Sequence, residues 1–288
     1  MISKEKESLI LKKYIFGNSI KKIYKETGIS DTAIKRVLLE NNIIIRKPVA
    51  DLNINSNAFS ELNEQASYWL GMIATDGSVS RRRKIQNKYY ESYSIELGLE
   101  YSDLEHIEKF KEFLKSNKKI YYSTKFKPIK ANGTTTMAKL IIYNKKLTED
   151  CIGYGITPRK TYTLEIKNDY LLNSKDFWRG VIDGDGSIWF DKNPKGNRKI
   201  CPRIELASAS YSFILQFKKY CEIKINKLNN KITKNARSNN WKYKISGSKC
   251  IELIKILYQN SVVYLKRKKT LSENIMSGEY LSNDRKQK

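Results

Sequence analysis

Two stretches decide the fold: Tyr68-Trp-Leu-Gly-Met-Ile-Ala-Thr-Asp-Gly-Ser78 and Phe177-Trp-Arg-Gly-Val-Ile-Asp-Gly-Asp-Gly-Ser187. Aligning Asp76 with Asp185 sets an offset of 109 residues, and the same offset lays Ile95-Glu96-Leu97 on Ile204-Glu205-Leu206. Further along, the register drifts only slightly. The helical phases Ile107/Phe110 and Ile214/Phe217 match at 107, and Arg159-Lys160 matches Arg267-Lys268 at 108. Four matches in order, with small changes where loops should lie, describe a duplicated unit of about a hundred residues.

Both copies read alike. The motif helix ends at Asp-Gly-Ser, and period-two strands follow, with Ile95, Leu97 and Leu99 on one face and Ser94 and Glu96 on the other. An amphipathic helix comes next (Leu104–Leu114; Tyr211–Tyr220), then two strands (near Ile120–Lys127 and Met137–Tyr143; near Lys231–Lys234 and Trp241–Ser246), then a closing helix. The order α-β-β-α-β-β-α predicts tandem α+β domains, each with helices on one face of its sheet and the other face open.

Gly71 and Thr75 are four residues apart, as are Gly180 and Gly184, so each motif helix carries a stripe of small residues that lets two helix backbones approach closely. In each copy the aspartate stands at the helix end, where the negative pole of the dipole disfavours it. Two such carboxylates brought together repel and rise in pKa unless cations lie between them. Hard divalent ions with oxygen ligands suit that arrangement, Mg2+ first among them and Mn2+ as an alternative.

Composition narrows the chemistry. The 288 residues carry 55 Lys+Arg against 30 Asp+Glu, a net charge of +25, which calls for a polyanionic partner. His106 is the only histidine, so Cys2His2 zinc fingers and histidine-based nuclease sites are excluded, and catalysis falls to carboxylates or lysines. His106 itself is expected to be solvated on an outer helix. Cys151, Cys201, Cys221 and Cys250 form no CxxC pair, and no secretory segment follows Met1, so the chain reads as intracellular, reduced and free of structural zinc. No apolar run approaches the roughly 20 residues of a membrane span.

From Lys4 to Asn42 three short helices are expected, with turns at Gly17-Asn18 and Gly28. Ile23, Ile29, Ile34 and Val37 have helix-turn-helix spacing; Gly28 supplies a positive φ and Ser30 or Asp31 caps the next helix. Ser30, Asp31, Thr32, Lys35 and Arg36 then point outward, toward a major groove if this is a recognition helix, or toward solvent if the module is a plain three-helix cap. Tyr24 stands where such motifs prefer a small residue. A polar linker from Lys47-Pro48 to about Asn63 follows. The expected division is a helix-turn-helix module at 1–47, a linker at 48–62, repeat domains at 63–168 and 169–276, and a basic tail at 277–288.

Trp-Leu-Gly-Met-Ile-Ala-Thr-Asp-Gly (69–77) and Trp-Arg-Gly-Val-Ile-Asp-Gly-Asp-Gly (178–186), inside a duplicated unit, resemble the paired motifs of single-chain LAGLIDADG homing endonucleases, over about Leu62 to Ile275. The resemblance implies a DNA-binding saddle and an intron- or intein-associated, site-specific endonuclease that cuts both strands across the minor groove, leaving 3′ overhangs. It implies Asp76 and Asp185 as metal ligands, with basic residues beside them. The repeat offers Lys160 and Lys268 for that role, 84 and 83 residues after their aspartates, with Lys269 as substitute if the register slips by one. Ala74 and Thr75 depart from the motif at packing positions, which bears on helix fit rather than chemistry. Asp183 reads as a structural or capping acid.

The open sheet faces are expected to read duplex DNA. Counting by twos from Ser78 gives Ser80, Arg82 and Lys84, with Val79 inward; from Ser187 it gives Trp189 and Asp191, with Ile188 and Phe190 inward. Lys125, Lys127, Arg203, Lys242 and Lys244 join them by strand parity, the alternative for each being a solvated strand charge. Arg82 stands opposite Asp191 in the repeat, a reversal of charge that points to a monomer on a long asymmetric site. A regulator or a splicing maturase that binds its own intron RNA is the alternative function.

Overall fold

Period-two alternation after each motif is realised as antiparallel sheet. The computed structural model describes residues 2–45, 53–84, 90–126, 134–191, 201–235 and 239–278. It divides into two compact units, Met1–Ala50 and Asp51–Lys288.

The smaller unit contains α1 (Lys4–Ile15), α2 (Ile20–Thr27) and α3 (Asp31–Glu40). Ser3, Ser19 and Ser30 cap them, each side chain accepting from a backbone N–H three residues on. Ile10, Tyr14, Ile23, Ile34, Val37 and Leu38 form a separate core. Gly28 ends α2 in the left-handed region, φ 69°, as the turn requires. Tyr24 is exposed, so its ring does not crowd that turn.

The larger unit begins with α4 (Glu64–Thr75), β1 (Gly77–Lys84), β2 (Tyr90–Glu100), α5 (Leu104–Phe113), β3 (Tyr121–Phe126), β4 (Thr134–Ile142) and α6 (Lys145–Gly153). A short α7 (Asp169–Asn173) leads to the second copy: α8 (Lys175–Gly184), β5 (Ser187–Asp191), β6 (Cys201–Ser208), α9 (Tyr211–Lys224), β7 (Thr233–Lys234), β8 (Trp241–Ser246) and α10 (Ser248–Tyr258). A further helix, α11 (Lys266–Ser277), closes the described chain. The sheets have the matching orders β1-β2-β4-β3 and β5-β6-β8-β7. Their registers match too, since Ser78 faces Glu96 and Ser187 faces Glu205. Val79, Ile95, Leu97 and Leu99 are buried under the first sheet, and Ile188, Ile204 and Leu206 under the second.

The motif helices α4 and α8 lie against each other at the centre. Every residue from Ala66 to Ala74 is buried, and so is every residue from Asp176 to Asp183, because each helix has a sheet's core on one side and its twin on the other. Glycine permits the contact. A Cβ on Gly71 would fall on the Phe177 carbonyl oxygen, and one on Gly180 on the Tyr68 carbonyl oxygen. Trp69 and Trp178, equivalent in the repeat, pack on Phe110 at 5.0 Å and Phe217 at 5.2 Å between ring centroids. One continuous core joins the two copies.

The stretch expected as a linker behaves otherwise from Asn53 onward. Phe59 is fully buried and joins the main core, and its carbonyl accepts from the Tyr154 hydroxyl at 2.8 Å. The amide of Asn55 donates to the Leu114 carbonyl at 2.9 Å. Ala58 and Phe59, with Ile54 and Leu62 packed against the same core, dock an otherwise polar segment. Residues 46–52, and the tail from 279 onward, lie outside the described residues.

Candidate active site

α4 ends at Asp76 and α8 at Asp185, and each aspartate is the C-cap of its helix. Their backbones agree closely, φ −77° and ψ −7° against φ −86° and ψ −10°. Each keeps a helical bond, Asp76 N–H to the Met72 carbonyl and Asp185 N–H to the Val181 carbonyl, so helix packing fixes where both carboxylates start. The end of α8 abuts the first aspartate: a Cβ on Gly184 would overlap the Thr75 hydroxyl and come within 3.2 Å of Asp76 Oδ2.

Both carboxylates keep an exposed edge, while protein packed around them strips part of their hydration. That crowding, followed by the negative charge of Asp185, raises Asp76 to about 6, against the pull of Lys268 and Arg267. Asp185 is raised by the same crowding, opposed by Lys160 and Lys268.

Lys160 and Lys268 occupy equivalent places. Lys160 opens a 3-10 turn (Lys160–Tyr162) and donates to the Gly77 carbonyl at 2.5 Å. Lys268, in the first turn of α11, donates to the Gly186 carbonyl at 2.7 Å, and Gly186 is the counterpart of Gly77. It also reaches the carbonyls of Ile182, Asp183 and Gly184. Burial lowers Lys268 to about 8 and lowers Lys160 as well. Each ammonium is thus bound to backbone at a motif end and acts on the aspartates through space. Lys269 turns instead to the Tyr258 carbonyl at 2.6 Å, which makes Lys268 the counterpart of Lys160.

Asp185, Ser187, Arg267 and Lys268 help to line a cleft of about 520 Å³. Arg267, unremarked in the sequence beyond its place in the repeat, reaches across to the first copy, with Nε 3.1 Å from Asp103 Oδ2.

Behind the aspartates lies a buried polar network. Asp183 accepts from the Tyr68 hydroxyl at 2.7 Å, the Tyr258 hydroxyl at 2.6 Å and the Leu265 N–H at 2.8 Å, so it is the structural acid expected. Tyr68 spends its proton on Asp183, and its oxygen is 2.8 Å from His106 Nε2, which therefore carries hydrogen and donates. The expectation of a solvated His106 is corrected here: the residue is 3% exposed, and burial lowers its pKa to about 3. Arg179 completes the network, paired with Asp176 at 2.6 Å and donating to the carbonyls of Val263 and Leu257.

The proposed reading residues fare unevenly. Ser80 and Trp189 are half-exposed, Trp189 Nε1 donating to Asp191 at 3.2 Å. Arg203 is ion-paired with Asp191, and Lys242 with Glu205 at 2.7 Å, so both charges are partly spent inside the sheet face. Lys244 is exposed. Arg82 and Lys84 stand on β1 and Lys125 on β3, with side chains outside the described residues, as is Lys127 altogether. In the smaller unit Thr32, Lys35 and Arg36 are exposed on α3, Arg36 lying 3.7 Å from Glu40, and Ser30 is its cap. Sequence reading missed Lys139, which pairs with Glu96 at 2.6 Å on the first sheet.

Among the described residues no group of three or more His, Cys, Asp or Glu side chains could hold a metal, and the four cysteines are free thiols. No described helix is long and apolar enough to cross a membrane.

Fold and site together define a pseudo-symmetric α-β-β-α-β-β-α pair, joined through helices that each end in a carboxylate. No family model and no curated protein matches the chain. Among solved structures it is similar to the meganuclease I-SmaMI bound to uncleaveable DNA with a TTCT central four, at 14% identity and TM-score 0.49, covering 76% of this chain and 93% of that one. It is also similar to the LAGLIDADG meganuclease I-AabMI bound to uncleaved DNA, at 10% identity and TM-score 0.47, covering 78% and 92%. A third, I-SmaMI bound to uncleaved DNA in the presence of calcium ions, matches at 14% identity and TM-score 0.46, covering 77% and 94%.

Proposed function

We propose that the chain is a site-specific double-strand DNA endonuclease of the LAGLIDADG kind, dependent on a divalent cation. The observation that carries this reading is the pairing of Asp76 and Asp185 at the ends of two helices locked together by Gly71 and Gly180. A protein that only bound a polyanion would gain nothing from two acids held where phosphate must approach.

The residues fit a hard cation. The donors are two carboxylates with exposed edges whose mutual repulsion a cation relieves, and oxygen donors suit a hard divalent ion. When bound, such a cation supplies charge neutralisation at phosphorus and acidifies water. Asp76 and Asp185 hold the position. Lys160 and Lys268 fix the turns after each aspartate and hold positive charge beside the scissile phosphates. The open sheet faces grip the duplex, and α3 extends the contact.

Asp76→Asn or Asp185→Asn should abolish double-strand cleavage with little loss of DNA binding, since each removes a ligand and no positive charge. EDTA should do the same. Cutting retained by either variant refutes the assignment. Removing residues 1–47 should shorten the protected footprint and leave the cut position unchanged.

A further inference from the structure

Each sheet carries, on its open face beside the motif end, one glutamate paired with one lysine. Glu96 lies directly across the ladder from Ser78, two residues after Asp76, and its carboxylate is 2.6 Å from Lys139 Nζ. Glu205 lies directly across from Ser187, two residues after Asp185, and its carboxylate is 2.7 Å from Lys242 Nζ. The lysines are equivalent by register as well. Lys139 stands opposite Gly98 and Lys242 opposite Ala207, which is Gly98 shifted by the repeat offset. A small residue is needed there because the lysine stem lies over it: a Cβ on Gly98 would already be 3.1 Å from Lys139 Cγ.

These couples contrast with the rest of the face. Trp189, Asp191 and Arg203 form a local cluster whose first-copy positions by the same offset are Ser80, Arg82 and Ser94, so no such cluster is repeated. Among the described residues of the face, the glutamate-lysine couple keeps both its members and its geometry. A carboxylate on a surface that meets phosphates is unfavourable unless a cation neutralises it, as the lysine does here, and it then gains most by also accepting a hydrogen bond from a base. In the major groove a carboxylate accepts from cytosine N4, and an ammonium donates to guanine O6 or N7. A Glu-Lys couple held side by side therefore matches a single C·G pair.

We infer that Glu96-Lys139 and Glu205-Lys242 read two C·G pairs at equal distances on either side of the cleavage centre, in inverted orientation. The target is then asymmetric over most of its length and palindromic at those two positions. This rests on the endonuclease reading and adds the identity of two base pairs to it.

The test is a cleavage selection by the full-length protein from a library of random duplexes with Mg2+, the cut products being sequenced. C·G at two dyad-related positions is the expected result. Glu205→Gln should lose the preference at one of them by on the order of ten- to a hundredfold, and Glu96→Gln at the other, while thermal melting stays near that of the parent. A defined site with no dyad-related C·G pair overturns this inference and leaves the endonuclease reading standing. So does a preference that weakens equally at both positions in either variant, because that is the signature of cross-strand neutralisation alone. Failure to cut any duplex overturns both.

Discussion

The hydroxyl of Tyr68, in the first motif helix, donates to the carboxylate of Asp183, in the second, at 2.7 Å within a fully buried site. By the repeat offset, Tyr68 matches Phe177 and Asp183 matches Ala74, so the mirror-image positions across the helix pair carry apolar residues. The two helices are near-twins in backbone and unlike in the chemistry they present to one another.

Removing the acceptor should be severe. Asp183→Ala leaves the Tyr258 hydroxyl and the Leu265 N–H without a partner and the Tyr68 hydroxyl with His106 alone, and each buried orphan costs about 1–3 kcal/mol. Tyr68→Phe leaves Asp183 with Tyr258 and Leu265 and should cost about 1–3 kcal/mol. Urea unfolding of both variants tests this; equal and small shifts in midpoint would falsify the network as a stabilising element.

Close approach of the backbones sets a second expectation. Gly71→Ala and Gly180→Ala each drive a methyl into a carbonyl oxygen of the partner helix, so each should destabilise by more than about 2 kcal/mol through forced separation. Gly153, at the end of α6, has nothing within 4 Å of a built Cβ, and Gly153→Ala should be neutral or stabilising by up to about 1 kcal/mol. Denaturation midpoints that do not separate the three variants would contradict the packing described.

The duplication made most of the fold legible, because each uncertain element could be checked against its twin. It made the aspartates legible for the same reason. What it hid were the places where the copies differ. His106 lies in phase with Phe110 and matches Phe213 at the α5/α9 offset, so it holds a core position that composition alone assigns to solvent. α11 was hidden by its own lysines: Lys268, Ser272 and Ile275 form its buried face, and a lysine at the head of a buried stripe breaks the apolar period. Phe59 gave too short an apolar signal to mark a docked segment. The pairing of Lys139 with Glu96 depends on strand register, which a single sequence does not fix.

His106 gives a pH dependence with a defined sign. Unfolded, the imidazole titrates near its ordinary 6.5; folded, burial holds it neutral to about 3. Between those values the unfolded chain binds more protons, so stability falls as pH drops, by up to about 1.4 kcal/mol per unit. His106→Phe should flatten that part of the acid limb. As the only histidine, its ring resonances can be followed without overlap in NMR, and titration near 6.5 in the folded protein would overturn the buried assignment.

Stoichiometry follows from the same one-sided network. Two first halves brought together would set each Tyr68 hydroxyl against Ala74, leaving it only His106 of its own half. Two second halves would set each Asp183 against Phe177, with two carboxylates buried and short of a donor. Either homologous pairing loses the Tyr68–Asp183 bond and is disfavoured, most of all where two buried Asp183 carboxylates are each short of a donor, while the pairing within one chain supplies it. The protein should therefore act as a monomer, each half meeting its own half-site, on a sequence that is asymmetric because the outer strands have diverged, with Arg82 in one copy standing for Asp191 in the other. Sedimentation of the protein with its selected duplex should give one chain per DNA. Two chains per duplex, or a requirement for a fully palindromic substrate, would remove the basis for this assignment.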